Sequence, residues 1–198
     1  MAPSPAASPT RLADRSLTEF CSRLAARTPT PGGGSAAAAA GAMGVALGEM
    51  VLRYSQSPTS PDPTLSAGLA DLENARAALV DAIDADTQAF EGLRAARRLR
   101  KAAPDDPFTA EELRNAVRHA TEVPLATART ARSAARTLRG LRPKVRATIA
   151  SDLATALALL EAAVAGALAN VQANLPDLEQ AGGDSTAIRA EAGSLGPE

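Results

Sequence analysis

The sequence contains very few aromatic side chains. Phe, Trp and Tyr together make up 2% of its 198 residues, and tryptophan is absent. A hydrophobic core must therefore be built from leucine, valine and above all alanine. Because alanine has the highest helix propensity and is disfavoured in strands, the composition predicts helices packed at close range. No segment shows the alternating pattern of a strand, so we expect an all-α fold.

Cysteine and histidine occur once each, as Cys21 and His119. A single cysteine excludes an internal disulfide, and this pair cannot form a typical zinc site, so we expect no metal. The default compartment is then the reducing cytoplasm. Cys21 follows Leu17 and Phe20 at helical spacing, which predicts a small buried core residue. A lone histidine such as His119 is most often a surface or structural residue.

Neither an excess of one charge nor a long apolar segment is present. The net charge is −1 and 22% of the residues are charged, which gives no electrostatic reason to expect nucleic-acid binding. The uncharged run 36–48 ends at Glu49 and is shorter than the roughly 20 residues that span a bilayer. The N-terminus also lacks the pattern of a signal peptide. We expect neither membrane insertion nor nucleic-acid binding.

The apolar spacing predicts a bundle of about five helices between residues 15 and 180. The Pro/Ser/Ala-rich residues 1–14 are predicted to be disordered, and residues 181–198 to form a mobile tail. The first predicted helix begins at a capping box formed by Ser16 and Glu19. The second covers Ser35–Tyr54 and the third Thr64–Lys101. The fourth runs from a capping box of Thr109 and Glu112 to Leu138, and the fifth runs from its N-cap Ser151 to Asn174, before Pro176.

The second predicted helix is alanine- and glycine-rich and apolar nearly all round, which places it in the middle of the bundle. Gly41, Gly44 and Gly48 would let neighbouring backbones approach closely. The preceding turn, Gly32–Ser35, offers unhindered amides at the positive end of a helix dipole. Such a turn suits an anion or a polar heterocycle.

The third predicted helix carries an uninterrupted heptad seam with two charged positions, Arg76 and Asp86. These residues lie about 15 Å apart along the axis, too far for a direct pair. Each therefore needs a partner from elsewhere or from a ligand. The alternative is that these two side chains lie at a solvent-exposed edge of the seam or pair with a residue of another helix.

Two further features stand out in the last two helices. Pro124 lies inside the fourth, where it removes an amide donor and predicts a kink or break. Asn170 and Asn174 are four residues apart and so share one face of the fifth, close to its apolar stripe.

Residues 16–55 read SLTEFCSRLAARTPTPGGGSAAAAAGAMGVALGEMVLRYS and resemble the opening of the cyclodeaminase/cyclohydrolase family. This family comprises the C-terminal domain of formiminotransferase-cyclodeaminase and free-standing bacterial methenyltetrahydrofolate cyclohydrolases. Four later segments resemble its other motifs, in family order: Asp84–Phe90 (DADTQAF), Ala120–Leu125 (ATEVPL, the kinked helix), Ile149–Asp152 (IASD) and Asn170–Leu175 (NVQANL).

The resemblance implies a helical subunit that dimerises through helices, with a folate site near the glycine turn and the subunit interface. It implies no cofactor beyond a tetrahydrofolate substrate. Water attack on a methenyl carbon needs a base and nearby negative charge, for which Asp86 and Asp152 are the candidate catalytic residues. The expected substrate contacts are Gly32, Gly33, Gly34, Ser35, Arg76, Glu122, Ser151, Asn170 and Asn174.

The family chemistry is either loss of ammonia from formimino-folate or hydrolysis of the methenyl bridge to formyl-folate. A chain without a formiminotransferase domain favours hydrolysis. Two segments depart from the family pattern, since 56–63 lacks the usual lysines and tyrosine and 142–148 replaces an asparagine-proline loop. These departures favour two alternative hypotheses, a family member repurposed for another imine, amidine or heterocycle, and a non-catalytic helical subunit.

Overall fold

The computed structural model describes residues 11–196, and within them it contains α-helices, short 3₁₀ turns and no strand. The all-α prediction is confirmed. Residues 1–10 and 197–198, with the disorder predicted for 1–10, lie outside the described part. Its six α-helices are α1 (Leu17–Leu24), α2 (Gly33–Ser55), α3 (Pro63–Ala102), α4 (Pro107–Leu141), α5 (Ala150–Gln180) and α6 (Thr186–Ser194).

Helices α2 to α5 form an up-down-up-down bundle in which α2 packs on α3 and α5, and α4 packs on α3 and α5. Neighbours are antiparallel because short connections join them. On α5, Asn170 lies beside Gly33 at the start of α2, while Leu160 lies beside Gly44, three turns further along α2. The start of α2 and the end of α5 therefore lie at the same end of the bundle.

The glycines of α2 lie where neighbouring helices approach most closely. A Cβ built on Gly44 would come within 3.0 Å of the carbonyl oxygen of Ala156, and one on Gly48 within 2.7 Å of Leu138. The predicted close approach is thus confirmed. However, α2 is not enclosed on all sides, since Met43 is 48% exposed.

Several helices begin at positions other than those predicted. Ser16 accepts a hydrogen bond from the amide of Glu19, as predicted for α1. Helix α4, however, begins at Pro107 with Asp106 as N-cap, and Thr109 instead donates to the carbonyl of Ala103. The predicted Thr109 capping box was wrong because Asp106 followed by a proline caps the helix three residues earlier.

The fifth helix also differs from its prediction at both ends. It begins at Ala150, and Ser151 is exposed in its first turn and caps nothing. It continues through Pro176 to Gln180. The proline is tolerated because the carbonyl that loses its amide partner belongs to Gln172, an exposed residue whose carbonyl can accept from water.

Two terminal segments predicted to be disordered are folded in part. Leu12–Asp14 form a 3₁₀ turn in which the amide of Leu12 donates to Asp84 over 2.7 Å, and Leu12 is buried. The predicted mobile tail contains α6, with Ile188 and Leu195 buried. Within the described residues each segment carries one or two buried apolar side chains that reach the bundle, and the predicted disorder and mobility stay predictions.

The predicted burial of Cys21 is also wrong. Helix α1 is short and peripheral, and of its side chains only Phe20 is buried. Cys21 is exposed and Leu17 is 67% exposed. The helical spacing placed Leu17 and Cys21 on the buried face together with Phe20, but a short helix on the outside of a bundle needs only one anchoring residue.

Two segments have the length and hydropathy of a membrane span, Gly33–Ser55 and Ala147–Gln180. Core helices of globular proteins meet the same criteria, and the most apolar part of Gly33–Ser55 is 61% buried in the bundle. The corresponding part of Ala147–Gln180 is 39% buried. The expectation that the chain does not enter a membrane stays a prediction.

Candidate active site

A pocket of about 230 Å³ opens at the end of the bundle where α2 begins and α5 ends. All four long helices contribute to it, together with the turn that precedes α2. Its lining residues are Pro29, Thr30, Gly32, Gly33, Asp86, Ala89, Phe90, Leu93, Ala120, Asn170 and Asn174. Five of the predicted site residues, Gly32, Gly33, Asp86, Asn170 and Asn174, are thus brought together in one cavity.

Asp86 of α3 caps the first turn of α2. Its Oδ2 accepts hydrogen bonds from the amide of Ser35 over 2.8 Å and from the Ser35 hydroxyl over 3.0 Å. The N-cap residue Gly32 has no side chain to do this, so a carboxylate from the neighbouring helix satisfies the free amide. The positive end of the α2 dipole stabilises the charge of Asp86. The glycine turn is therefore already matched to an internal anion.

Gly34 is required by this arrangement. A Cβ built on Gly34 would overlap the carboxylate of Asp86. Ser35 completes the cap, because its hydroxyl also lies 2.9 Å from the carbonyl of Ile83 on α3. Gly34 and Ser35 therefore hold Asp86 in place, and Oδ1 of Asp86 has no hydrogen-bond partner within residues 11–196.

Two asparagines of α5 face the same pocket. The Nδ2 group of Asn170 donates to the carbonyl of Gly166 over 2.8 Å, and that of Asn174 donates to the carbonyl of Ala120 on α4 over 2.9 Å. In each case the amide nitrogen is engaged and the amide oxygen is left to accept a hydrogen bond. Phe90 of α3 is half-buried and forms an apolar wall.

The chemistry of the pocket follows from this inventory. Asp86 is the only titratable residue among its lining residues, and none of them carries a positive charge. Oδ1 of Asp86 and the side-chain oxygens of Asn170 and Asn174 are free to accept hydrogen bonds, and the hydroxyl of Thr30 can accept or donate one. Such a pocket attracts a cation or a ring rich in N–H donors and repels an anion. No group of three His, Cys, Asp or Glu side chains suited to a metal occurs between residues 11 and 196.

Four predicted site residues lie elsewhere in the described chain, namely Asp152, Ser151, Glu122 and Arg76. Asp152 and Ser151 are at the start of α5, 18 residues before Asn170 and therefore about 27 Å away along the helix. Glu122 is exposed on α4 and does not line the pocket. Within one chain the two candidate catalytic carboxylates, Asp86 and Asp152, therefore do not share a cavity.

Arg76 pairs with another helix, which is one of the alternatives left open by its seam position. Its Nε lies 2.6 Å from the carboxylate of Glu49 on α2, a buried residue that the sequence reasoning did not single out. Arg53 lies 3.0 Å from the other oxygen of Glu49. The hydrogen bond that Arg76 donates to the carboxylate of Glu49 raises the pKa of Arg76 above its usual value.

The two segments that depart from the family pattern pack against each other at the far end of the bundle. Lys144 forms an ion pair with Asp62, and the hydrogen bond from Lys144 lowers the pKa of Asp62 to about 2. The guanidinium of Arg146 donates to the carbonyl of Gln56 over 3.3 Å. Within one chain these departures leave the pocket around Asp86 unchanged.

Residues 16–189 match the model of the formiminotransferase-cyclodeaminase family, which is most of the chain. The chain belongs to the formiminotransferase-cyclodeaminase family. The match takes in every element that lines the pocket, from the glycine turn before α2 to the end of α5.

The curated relatives of this family member include proteins about three times as long and one of similar length. It is 36% identical over 171 residues to the formimidoyltransferase-cyclodeaminase of Sus scrofa, a match that covers 84% of this chain but 32% of the relative. The chain thus spans about a third of the length of such relatives. It is 31% identical over 170 residues to the methenyltetrahydrofolate cyclohydrolase of Methylorubrum extorquens, with 84% and 82% covered.

A solved structure shows the same fold. The crystal structure of formiminotetrahydrofolate cyclodeaminase from Thermotoga maritima superposes with a TM-score of 0.80 at 29% sequence identity, over 93% of this chain and 90% of that one. The agreement extends over essentially the whole bundle and therefore includes the region of the pocket.

Proposed function

We propose that this family member is a folate one-carbon enzyme that hydrolyses the methenyl bridge of a tetrahydrofolate to a formyl group. The observation that carries the proposal is the pocket around Asp86, which combines one oriented carboxylate, two amide oxygens and an aromatic wall. A methenyl bridge is an amidinium cation fused to a flat ring system. It fits a cavity that offers negative charge, hydrogen-bond acceptors and an apolar side.

The carboxylate of Asp86 supplies the chemistry in this proposal. Its Oδ1 takes a proton from a water molecule as the water oxygen forms a bond to the bridging carbon. The resulting tetrahedral carbon loses one of its two C–N bonds, and the departing nitrogen receives the proton held by Asp86. The hydroxyl proton is released to solvent as the C=O bond of the formyl group forms. The fixed charge of Asp86 also stabilises the cationic substrate, because Ser35 and the start of α2 keep the carboxylate in place.

A second candidate is ring closure of a formimino-folate with release of ammonia. The solved relative from Thermotoga maritima bears the name of such a cyclodeaminase. Both reactions pass through a tetrahedral carbon between two nitrogens. The methenyl bridge is a cation, and the formimino group becomes one when it is protonated. The same carboxylate and amide oxygens would serve either reaction, so the pocket alone does not choose between them.

Two assays on the purified protein distinguish the reactions. Loss of the methenyl-folate absorbance above the buffer rate reports hydrolysis, and ammonia release from formiminotetrahydrofolate reports deamination. We expect the first to be accelerated, and Asp86→Asn to lower kcat at least about 100-fold, the usual contribution of a general base. If neither substrate is turned over faster than in buffer, the proposed function is wrong.

Asp152 could take part only through a second subunit, and we propose that the chain forms a homodimer through the outer faces of α2 and α5. The outward stripe of α5 consists of alanines, Ala158, Ala162, Ala165 and Ala169, all exposed. On the neighbouring helix α2, Met43 is 48% exposed. An uncharged apolar face of this length, formed by two adjacent helices, is typical of an interface.

Light scattering and kinetics test the dimer together. Ala162→Arg places a long cation in the middle of the α5 stripe and should yield monomers, whereas Ala77→Arg on the exposed face of α3 should not. If Asp152 of a partner subunit reaches the pocket, Asp152→Asn will lower kcat and Ala162→Arg will do the same. A monomeric wild-type protein would contradict the proposed dimer, and full activity of Asp152→Asn would remove Asp152 from the catalytic residues.

A further inference from the structure

Pro124 creates an unpaired carbonyl in the wall of the pocket. In a regular helix the carbonyl of Ala120 would accept from the amide of residue 124, four positions later. A proline has no amide hydrogen, so this acceptor on α4 is left without its helical donor. Ala120 and Pro124 are both buried. An unpaired carbonyl in such a place is unfavourable, and another donor is needed.

Asn174 of α5 supplies that donor. Its Nδ2 group lies 2.9 Å from the carbonyl oxygen of Ala120. Only the amino end of an asparagine side chain can donate, so this bond fixes which end of the amide faces α4. The opposite end, Oδ1, has no hydrogen-bond partner within residues 11–196 and belongs to a side chain that lines the pocket.

From this geometry we propose that Pro124 and Asn174 form a positioning pair, in which the missing amide of Pro124 locks the Asn174 side chain so that Oδ1 is a fixed acceptor for an N–H group of the bound ring. The identity of the ring as a folate rests on the proposed function, but the locking itself does not. A freely rotating asparagine could present either a donor or an acceptor. The locked one accepts only, and so selects ligands that place an N–H group at this point.

The charge inventory of the pocket favours the same class of ligand. Oδ1 of Asp86 and Oδ1 of Asn170 are also acceptors, and no cationic side chain lines the cavity. A heterocycle that presents several N–H groups, or an amidinium cation, satisfies these oxygens. A ring that offers only acceptors would leave them unpaired, which is costly in a partly buried site.

The decisive variant is Pro124→Ala. It restores the helical amide, which competes with Asn174 for the Ala120 carbonyl and frees the side chain to rotate. Pro176→Ala is a matched control, because Pro176 also lies inside a helix but frees the carbonyl of the exposed Gln172 and lines no pocket. Both variants should fold, since replacing an interior proline by alanine favours a helix.

The first measurement is binding of 5-formyltetrahydrofolate by calorimetry, with kinetics on methenyl-folate. We expect Pro124→Ala to raise Kd and KM about 5- to 20-fold, the effect of one misplaced hydrogen bond, with kcat within about threefold of wild type. Its melting temperature should be unchanged or higher. Pro176→Ala should leave Kd and KM within twofold. A Pro124→Ala protein that binds as tightly as wild type overturns the proposal.

The second measurement does not depend on the ligand. Hydrogen exchange of the Asn174 side-chain amide, assigned by its disappearance in Asn174→Leu, should be slow in wild type and in Pro176→Ala, and at least tenfold faster in Pro124→Ala. Equal exchange in all three overturns the locking. If wild type binds no folate but the exchange rates differ as expected, the proposed function fails and the positioning pair stands.

Discussion

The carboxylate of Glu49 on α2 lies 2.6 Å from the Nε atom of Arg76 on α3, and only 3% of the Glu49 side chain is exposed. Arg53, one turn along α2, holds the second oxygen over 3.0 Å and also bonds Glu73 of α3 over 2.7 Å. Both arginines are nearly half exposed, so water solvates their outer nitrogens. The buried charge of Glu49 is therefore balanced from two directions, which ties α2 to α3.

Because either arginine alone can balance Glu49, the effects of removing them should not add. We expect Arg53→Met and Arg76→Met each to lower the free energy of unfolding by about 1 kcal/mol or less. The double variant should lose about 3–5 kcal/mol, since it leaves a buried carboxylate without a partner. Urea titrations of the four proteins measure this. Additive losses would show that Glu49 is adequately solvated by water.

Gly34→Ala should displace the carboxylate of Asp86, which a Cβ at this position would overlap. The expected cost is about 1–3 kcal/mol of unfolding free energy, as for other overpacked sites, together with a fall in kcat if Asp86 is the base. Thermal unfolding and the methenyl-folate assay measure the two effects.

The control for this variant is Gly92→Ala. Gly92 lies inside α3 with no atom within 4 Å of a Cβ built on it. Alanine there should stabilise the helix by about 0.5–1 kcal/mol and leave activity unchanged. Equal stability changes in Gly34→Ala and Gly92→Ala would contradict the tight fit between Gly34 and Asp86.

The ion pair of Asp62 with Lys144 gives a pH-dependent stability. The hydrogen bond from Lys144 lowers the pKa of Asp62 in the folded protein to about 2, below its ordinary value of 3.8. A lowered folded-state pKa means that the stabilisation is present above about pH 4 and is lost as the pH falls toward 2. Asp62→Asn keeps the N-cap of α3 but removes the charge. Its melting temperature should be below that of wild type at pH 7, and the difference should vanish near pH 2.

Arg132 should anchor α6 far more strongly than its neighbour Arg129 does. Arg132 is 1% exposed and donates to the carbonyls of Leu195 and Gly196 over 2.9–3.2 Å, whereas Arg129 pairs with Glu191 at the surface. Arg132→Met should make the segment around α6 at least about tenfold more sensitive to limited proteolysis, because the carbonyls lose a buried charged donor.

Arg129→Met serves as the comparison for this experiment, since exposed ion pairs contribute little. Its rate of proteolysis should stay close to that of wild type. If the two variants are cleaved at the same rate, the apolar contacts of Ile188 and Leu195 hold α6 in place without help from Arg132.

The sequence predicted the parts of the fold that follow from local periodicity. The heptad seam of α3 identified Asp86 as a charge that needs a partner, and the structure supplies that partner in Ser35. The seam also identified Arg76, but its partner Glu49 was not recognised. A glutamate that ends an apolar run is usually read as the first exposed position, and only the packing of α2 on α3 shows that Glu49 is covered.

The grouping of the site residues depended on distances between helices and along them, which a linear sequence pattern does not contain. Asp152 and Asn170 belong to one helix, so their separation of about 27 Å follows from helix geometry once α5 is known to be unbroken. The motif resemblance grouped them in one site without regard to that length. The bond between Asn174 and Ala120 was likewise hidden, because nothing in the sequence shows which carbonyl faces which side chain across two helices.

The hydrogen bonds that Arg132 donates to the carbonyls after α6 also bear on the order in which the bundle is completed. Two of its acceptors lie 63 and 64 positions further along the chain. During synthesis the α4 segment leaves the ribosome well before those carbonyls exist, although Glu161 of α5, which pairs with Arg132 over 2.7 Å, is made earlier. The remaining hydrogen bonds of the buried guanidinium therefore form only after the α6 segment has emerged.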